Sequence, residues 1–402
     1  MIIQVGDLKI GDYEKKVINE ILDSGRISEG INVKSFEIEW AKFIGTDYSL
    51  TTSSGTAALI TGLSSLKYLK DTNISNNSKV ITTPLTYIST INAISLSNFD
   101  PIFVDIDMDT LGITAKNIED HLETVEDITN YSLILPVHLM GFSVDMNKIN
   151  KIAKKYGLNV VEDSAQAHGT EYKNKKTGSM SLFSIFSFYI AHNIQVGEMG
   201  AINTNNKELM EICRKMKSNG RMCSCAICTR NTGSCPVKFK ENFNNKDPRF
   251  THDIIGYNFK TMEFQAALAL AQLRNVDSII KQRNENVKYL NEGLNEFENI
   301  IKLPNYSSKT SYLAYPIIVS KPEIISREKI RKKLENKGIE TRPLFGSIPT
   351  QQPAYSHLKN EYSNKLPNAD FVGKNGFYIG CHQYLGTEEL DYIIKTFKEL
   401  FH

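Results

Sequence analysis

Asn159-Val160-Val161-Glu162-Asp163-Ser164-Ala165-Gln166-Ala167-His168-Gly169 is the stretch on which the fold turns. An apolar run closes here on two carboxylates, the pattern of a buried parallel strand that ends in polar residues. Lys79-Val80-Ile81-Thr82-Thr83-Pro84, Pro101-Ile102-Phe103-Val104-Asp105 and Leu133-Ile134-Leu135-Pro136-Val137 read the same way, and Leu182 to Tyr189 is a further apolar, aromatic run. Helix-like stretches separate them. Strands alternating with helical segments imply βαβ units, hence an α/β fold with a large, mostly parallel, doubly wound sheet and ligands at the strands' carboxyl ends.

Working outward, Ser53-Ser54-Gly55-Thr56-Ala57-Ala58-Leu59 is a small-residue turn that opens a helix. Free amides at a helix start, with the macrodipole behind them, suit a phosphate, although helix caps of this composition are common. Residues 221 to 250 break the alternation with cysteines, Asn, Lys and Pro and read as an inserted loop. One long helix is expected from roughly Met262 to Leu294, and mixed strands and amphipathic helices follow from about 310. The expected organisation is an N-terminal segment at 1–30, a large domain at 31–270 carrying the cysteine loop 221–250, and a long helix with a small C-terminal α/β domain at 271–402.

The 402 residues suffice for one large domain and a smaller one. Basic and acidic residues nearly cancel at 47 against 45, so no global field points to nucleic acid or anionic lipid. Met1-Ile2-Ile3-Gln4-Val5-Gly6-Asp7 has neither the basic nor the apolar region of a signal peptide, and no apolar stretch approaches the ~18 residues of a spanning helix. A cytoplasmic enzyme that meets neither membrane nor nucleic acid is the expectation.

Four of the six cysteines, Cys223, Cys225, Cys228 and Cys235, fall within thirteen positions. Without an export signal, such bunching reads as metal or iron–sulfur ligation before disulfides. Four thiolates can hold a 2Fe–2S cluster, a 4Fe–4S cluster or a structural zinc. Cys213 and Cys381 stand apart and read as small buried hydrophobes.

These motifs, in this order and over essentially the full length, resemble the nucleotide-sugar aminotransferases of the DegT/StrS type. The resemblance implies an aspartate aminotransferase-like, fold type I pyridoxal-phosphate enzyme. It places Gly55, Thr56 and Ser187 on the cofactor phosphate, Tyr87 against the pyridine ring, Asp163 opposite the ring nitrogen and Gln166 on the phenolic oxygen. Alone, Tyr87 reads as a core tyrosine, and Asp163 reads equally as an ordinary strand-end acid. Gly256-Tyr257-Asn258-Phe259-Lys260 resembles a segment that reaches the neighbouring subunit's site, with Asn258 on phosphate, which implies a homodimer. Arg342, in Thr341-Arg342-Pro343-Leu344-Phe345, is left between substrate and dimer contacts. Met199, in Gly197-Glu198-Met199-Gly200, replaces a usual glycine and is expected to narrow the backbone near the cofactor.

The decisive departure is His192, in Phe186-Ser187-Phe188-Tyr189-Ile190-Ala191-His192-Asn193, where the family carries the lysine that bonds the cofactor aldehyde. Histidine moves protons but has no primary amine. Within the family it marks the sugar 3-dehydratases, which implies pyridoxamine 5′-phosphate as working cofactor, His192 as catalytic base and a nucleotide-linked 4-keto-6-deoxysugar as substrate. The cysteine loop is similar to that of the iron–sulfur CDP-4-keto-6-deoxyglucose 3-dehydrase, which implies a cluster on Cys223, Cys225, Cys228 and Cys235 and a separate electron-donating reductase. Two departures accompany it: Ala165 stands where that enzyme has a distant cysteine, and the gap from Cys225 to Cys235 is two residues longer. Two alternatives stand beside this expectation. One is a glutamate-dependent 3-dehydratase without a redox cluster, its cysteines binding zinc; the other is a non-catalytic sugar-nucleotide-binding relative.

Overall fold

The computed structural model describes residues 1–70, 72, 74–223, 225, 227–229, 247 and 250–401. Seven strands form the main sheet: β1 (Tyr48–Thr52), β2 (Lys79–Thr82), β3 (Asp100–Phe103), β4 (Tyr131–Leu135), β5 (Asn159–Asp163), β8 (Phe183–Ser187) and β9 (Gly200–Thr204), with a small hairpin of β6 (Glu171–Tyr172) and β7 (Lys175–Lys176) between. Their spatial order is β1-β9-β8-β5-β4-β2-β3. β3, β2, β4, β5 and β8 run parallel, and β9 alone opposes its neighbours. β4 is buried along its length, as an apolar strand covered by helices on both faces must be.

Helices cover both faces because each carries an apolar stripe. Ile31–Ile44 turns Val33, Phe36, Trp40 and Ile44 onto Phe186, Phe188 and Ala201. Met146–Tyr156 buries Ile149, Ile152 and Ala153 on the opposite side and ends at Gly157, whose φ of 69° a glycine adopts without strain. The single helix expected over 262–294 is two, Glu263–Leu273 and Val276–Leu294. Asn275, at φ −111° and ψ 12°, leaves helical geometry between them. The apolar spacing runs through this break, which is why periodicity alone reads one element.

A second, wholly antiparallel sheet joins β10 (Ile301–Lys302), β11 (Tyr315–Val319), β12 (Arg342–Pro343) and β13 (Gly376–Ile379) in the order β10-β11-β13-β12. One continuous apolar cluster runs from the main sheet into it, through Val5, Met140, Tyr312, Ile317 and Phe377. Among the described residues no helix is long and apolar enough to cross a membrane.

Candidate active site

The carboxyl ends of β2, β4, β5 and β8 and the start of helix Gly55–Ser65 converge on a cavity of about 420 Å³. Gly55, Thr56, Tyr87, Asp163, Gln166, Ser187 and His192 all line it. Asn258 does not; it is exposed on a segment that pairs with Ser218.

Asp163 closes β5 and is 3% exposed. The Thr90 hydroxyl donates to its Oδ2 at 2.8 Å and the Ala165 N–H to its Oδ1 at 3.1 Å. Thr86 lies 3.0 Å behind Thr90 and completes a hydroxyl relay. Burial pushes the Asp163 carboxyl above the usual carboxylate range, against the pull of these two bonds and of His138. No Lys or Arg pairs with it among the described residues. A buried carboxylate that faces the cavity with no cation paired to it is a place for a positively charged ligand group.

The helix start is built as an anion cradle. Ser54 caps it by accepting from the Ala57 N–H at 3.1 Å, which leaves the first amides facing the cavity. Ser187 presses against this turn so closely that a Cβ on Gly55 would lie 2.6 Å from the Ser187 Cβ. Gly200 is equally constrained, since a Cβ there would lie 2.2 Å from the Ser54 carbonyl. Gln166 accepts from the Met140 N–H at 2.9 Å through its carbonyl, so its amide NH₂ is the end left for a ligand. Tyr87, 57% exposed, sets its ring edge-on to Phe345 at 5.7 Å.

His192 sits on the turn after β8, its N–H donating to the Tyr189 carbonyl at 2.9 Å. Its ring stacks on that of His168 at 5.9 Å and 20°, and its Nδ1 is buried without a partner. Burial lowers its pKa to about 4, helped by the Arg283 charge and opposed by the Tyr189 carbonyl. His192 is therefore an uncharged imidazole near neutrality, in the form that accepts a proton.

Several cavity residues have no role assigned to them from the sequence. Thr90 is one helical turn beyond Tyr87, a spacing that would have marked it. Tyr189 and Glu198 flank His192 on the same turn, and burial raises the Glu198 carboxyl. Tyr378 stands on β13 and Phe345 follows β12 of the second sheet, a meeting that no local pattern could predict. Arg342 lines the cavity of its own chain, with Nε and Nη2 on Glu340 Oε1 at 2.9 Å. Met199 does not narrow the cavity: its side chain is fully buried behind the turn, in the cluster of Phe188 and Trp40. Cys223 is half-buried, Cys225 and Cys228 are exposed, and Cys235 lies outside the described residues. Among the described residues no three His, Cys, Asp or Glu side chains are grouped to hold a metal.

The model of the DegT/DnrJ/EryC1/StrS aminotransferase family matches residues 9–398. The lipopolysaccharide biosynthesis protein RfbH of Salmonella typhimurium is 32% identical over 401 residues, 98% of this chain and 90% of its own. The dTDP-4-dehydro-2,6-dideoxy-D-glucose 3-dehydratase of Saccharopolyspora spinosa is 30% identical, over 93% of this chain and 81% of its own. A solved structure of E. coli GDP-4-keto-6-deoxy-D-mannose-3-dehydratase with bound hydrated PLP is 25% identical, with a TM-score of 0.84 over 98% of this chain and 100% of that one. With nearly its whole length matched, and its cavity at the carboxyl ends of a mostly parallel sheet, the chain belongs to the DegT/DnrJ/EryC1/StrS aminotransferase family.

Proposed function

We propose that the protein removes the C3 hydroxyl of a nucleotide-linked 4-keto-6-deoxysugar, with pyridoxamine 5′-phosphate as cofactor, as a step of deoxysugar biosynthesis. The observation that carries this reading is His192: a cavity otherwise suited to the cofactor has an uncharged imidazole where the family's lysine would stand. The residues present fit the group. Asp163 is a buried carboxylate awaiting a cationic ring nitrogen, the Gly55–Thr56 turn with Ser187 offers a phosphate seat, and the Gln166 amide is free to donate.

When bound, the cofactor supplies an amine that condenses with the 4-keto group and a ring that takes up electron density as the C3 hydroxyl departs. Asp163, fixed by Thr90 and Ala165, holds the ring nitrogen protonated. His192 accepts the proton lost from the cofactor's C4′ carbon, which its depressed pKa leaves it free to do at neutral pH. Having no primary amine, it does not capture the cofactor aldehyde, so the ordinary return to transamination is closed. Asn258 contacts the phosphate of a partner subunit's site in a cytoplasmic homodimer.

The finer part of the proposal is that Cys223, Cys225, Cys228 and Cys235 hold an iron–sulfur cluster that passes electrons from a reductase to the dehydrated sugar. It is supported by the spacing of the four thiols. A second reading keeps His192 but regenerates the cofactor with glutamate and gives the cysteines to zinc. It is supported by the likeness to the E. coli 3-dehydratase over 98% of the chain.

Incubating the pure protein and pyridoxamine phosphate with CDP-, GDP-, TDP- and UDP-4-keto-6-deoxysugars should give a product lacking the C3 hydroxyl with one of them. His192→Lys should lose that product and aminate C4 instead, with a new absorption band from covalently held cofactor. C4 amination by the wild type, with the C3 hydroxyl retained, would overturn the reading. Brown protein after anaerobic purification, bleached by Cys225→Ser or Cys228→Ser but not by Cys213→Ser, supports the cluster. Zinc without iron, and turnover on glutamate alone, replaces it with the second reading.

A further inference from the structure

Arg283 is 1% exposed, yet no carboxylate pairs with it among the described residues. Its Nη1 donates to the carbonyls of Tyr312 at 3.2 Å and Leu313 at 2.8 Å, and its Nε to the Gln383 Oε1 at 3.1 Å. Withdrawing a guanidinium from water is costly without a counter-charge, so one held by neutral oxygens and the buried Cys381 thiol calls for a reason. Its first partner supplies one. The Tyr312 carbonyl also accepts from Asn193 Nδ2 at 3.3 Å, and the same amide donates to the Ser311 carbonyl at 2.9 Å. Asn193 follows His192 directly, and Leu313 lines the cavity.

We propose that Arg283 is a positioning residue for His192: it fixes the 311–313 loop that Asn193 grips and brings its charge to bear on the buried imidazole. The inference rests on the reading of His192 as the base. The groups that face His192 come from every surrounding element. Tyr189 and Glu198 share its turn, Asp163 closes β5, and His168 stacks on it from the loop beyond. Arg342 and Tyr378 reach the cavity from the small sheet, and Arg283 stands on the helix Val276–Leu294. Of these charges, that of Arg283 opposes a proton on the ring. Arg283 acts in the same sense on His168 and on His382, so its field covers the whole histidine cluster.

The test is an NMR titration of the full-length, histidine-labelled protein without cofactor, with the His192 signal assigned by its loss in His192→Asn. Arg283→Met should raise the His192 midpoint by about 0.5–1 pH unit. Gln383→Glu, which sets a carboxylate against the Arg283 Nε, should raise it too and removes a buried amide nitrogen that has no partner. Arg283→Lys should leave the midpoint near the wild-type value. An unchanged midpoint in folded Arg283→Met and Gln383→Glu overturns the proposal, and so does a shift in Arg283→Lys as large as in Arg283→Met. Should Arg283→Met fail to fold, Gln383→Glu decides alone. No substrate or turnover enters this measurement, so its failure is distinct from failure of the sugar panel, which tests the reaction.

Discussion

Asp163 carries opposite consequences with and without its ligand. Its carboxyl is raised by burial, so the stability it contributes is present at low pH and is lost as pH rises through the raised value. Asp163→Asn should therefore make the cofactor-free protein more stable at pH 7, with the gain fading toward pH 4, as denaturation midpoints will show. The same change should cost about 2–4 kcal/mol in cofactor binding and elimination together, because an amide cannot hold a ring proton as a carboxylate does. His192 and His382, each lowered to about 4, and His168, also lowered, have the reverse sign. Depressed histidines give stability that is present above their ordinary pKa of 6.5 and lost as pH falls toward 4. Unfolding free energies measured across that window should fall steeply for the wild type and less steeply for His192→Gln. At this scale the sequence was most legible where a residue type was chemically odd. His192 announced itself by lacking an amine, whereas Arg283 looks like any helical arginine until two loops close around it.

Elements were legible where composition forces a local state. The β5 run is a strand over the residues its apolar pattern marks, Asn159–Asp163. The Ser53–Leu59 turn opens a helix at Gly55 because Ser54 can cap it. Asn275 escaped notice, since one non-helical residue does not disturb an apolar period. β1 and β9, which complete the sheet, were not marked either; short strands of Thr, Ser and Asn carry no clear alternation. The Gly55 turn yields a prediction at this scale. A methyl there meets Ser187 at 2.6 Å, so Gly55→Ala must push the helix start away from β8. Overpacking of this kind costs about 1–3 kcal/mol, and cofactor affinity measured by equilibrium dialysis should fall roughly tenfold or more. The fold itself should survive, since the strain is local to one turn.

For the whole molecule, the cavity joins residues from Ser54 to Tyr378 and two sheets, a juxtaposition that only the tertiary fold creates. Asn258, exposed and away from its own cavity, tests the dimer. Chains carrying His192→Asn and chains carrying Asn258→Ala should each be nearly inactive alone. Unfolded and refolded together, they should recover activity, because the proposed mixed dimer would hold one site with both residues intact; an active Asn258→Ala chain would place Asn258 outside any active site, and two inactive chains that do not recover would place it in its own chain's site.

The chain's single tryptophan gives the molecule an optical reporter. Trp40 is fully buried and its indole sits 5.4 Å from the His168 ring, which in turn stacks on His192. A protonated imidazole quenches a neighbouring excited indole and a neutral one does so far less. Emission excited at the red edge, where the tyrosines are silent, should therefore be blue-shifted and bright at neutral pH. It should dim as acid protonates His168, so that a cuvette and a pH electrode can follow the protonation of the site's histidines without label, substrate or cofactor.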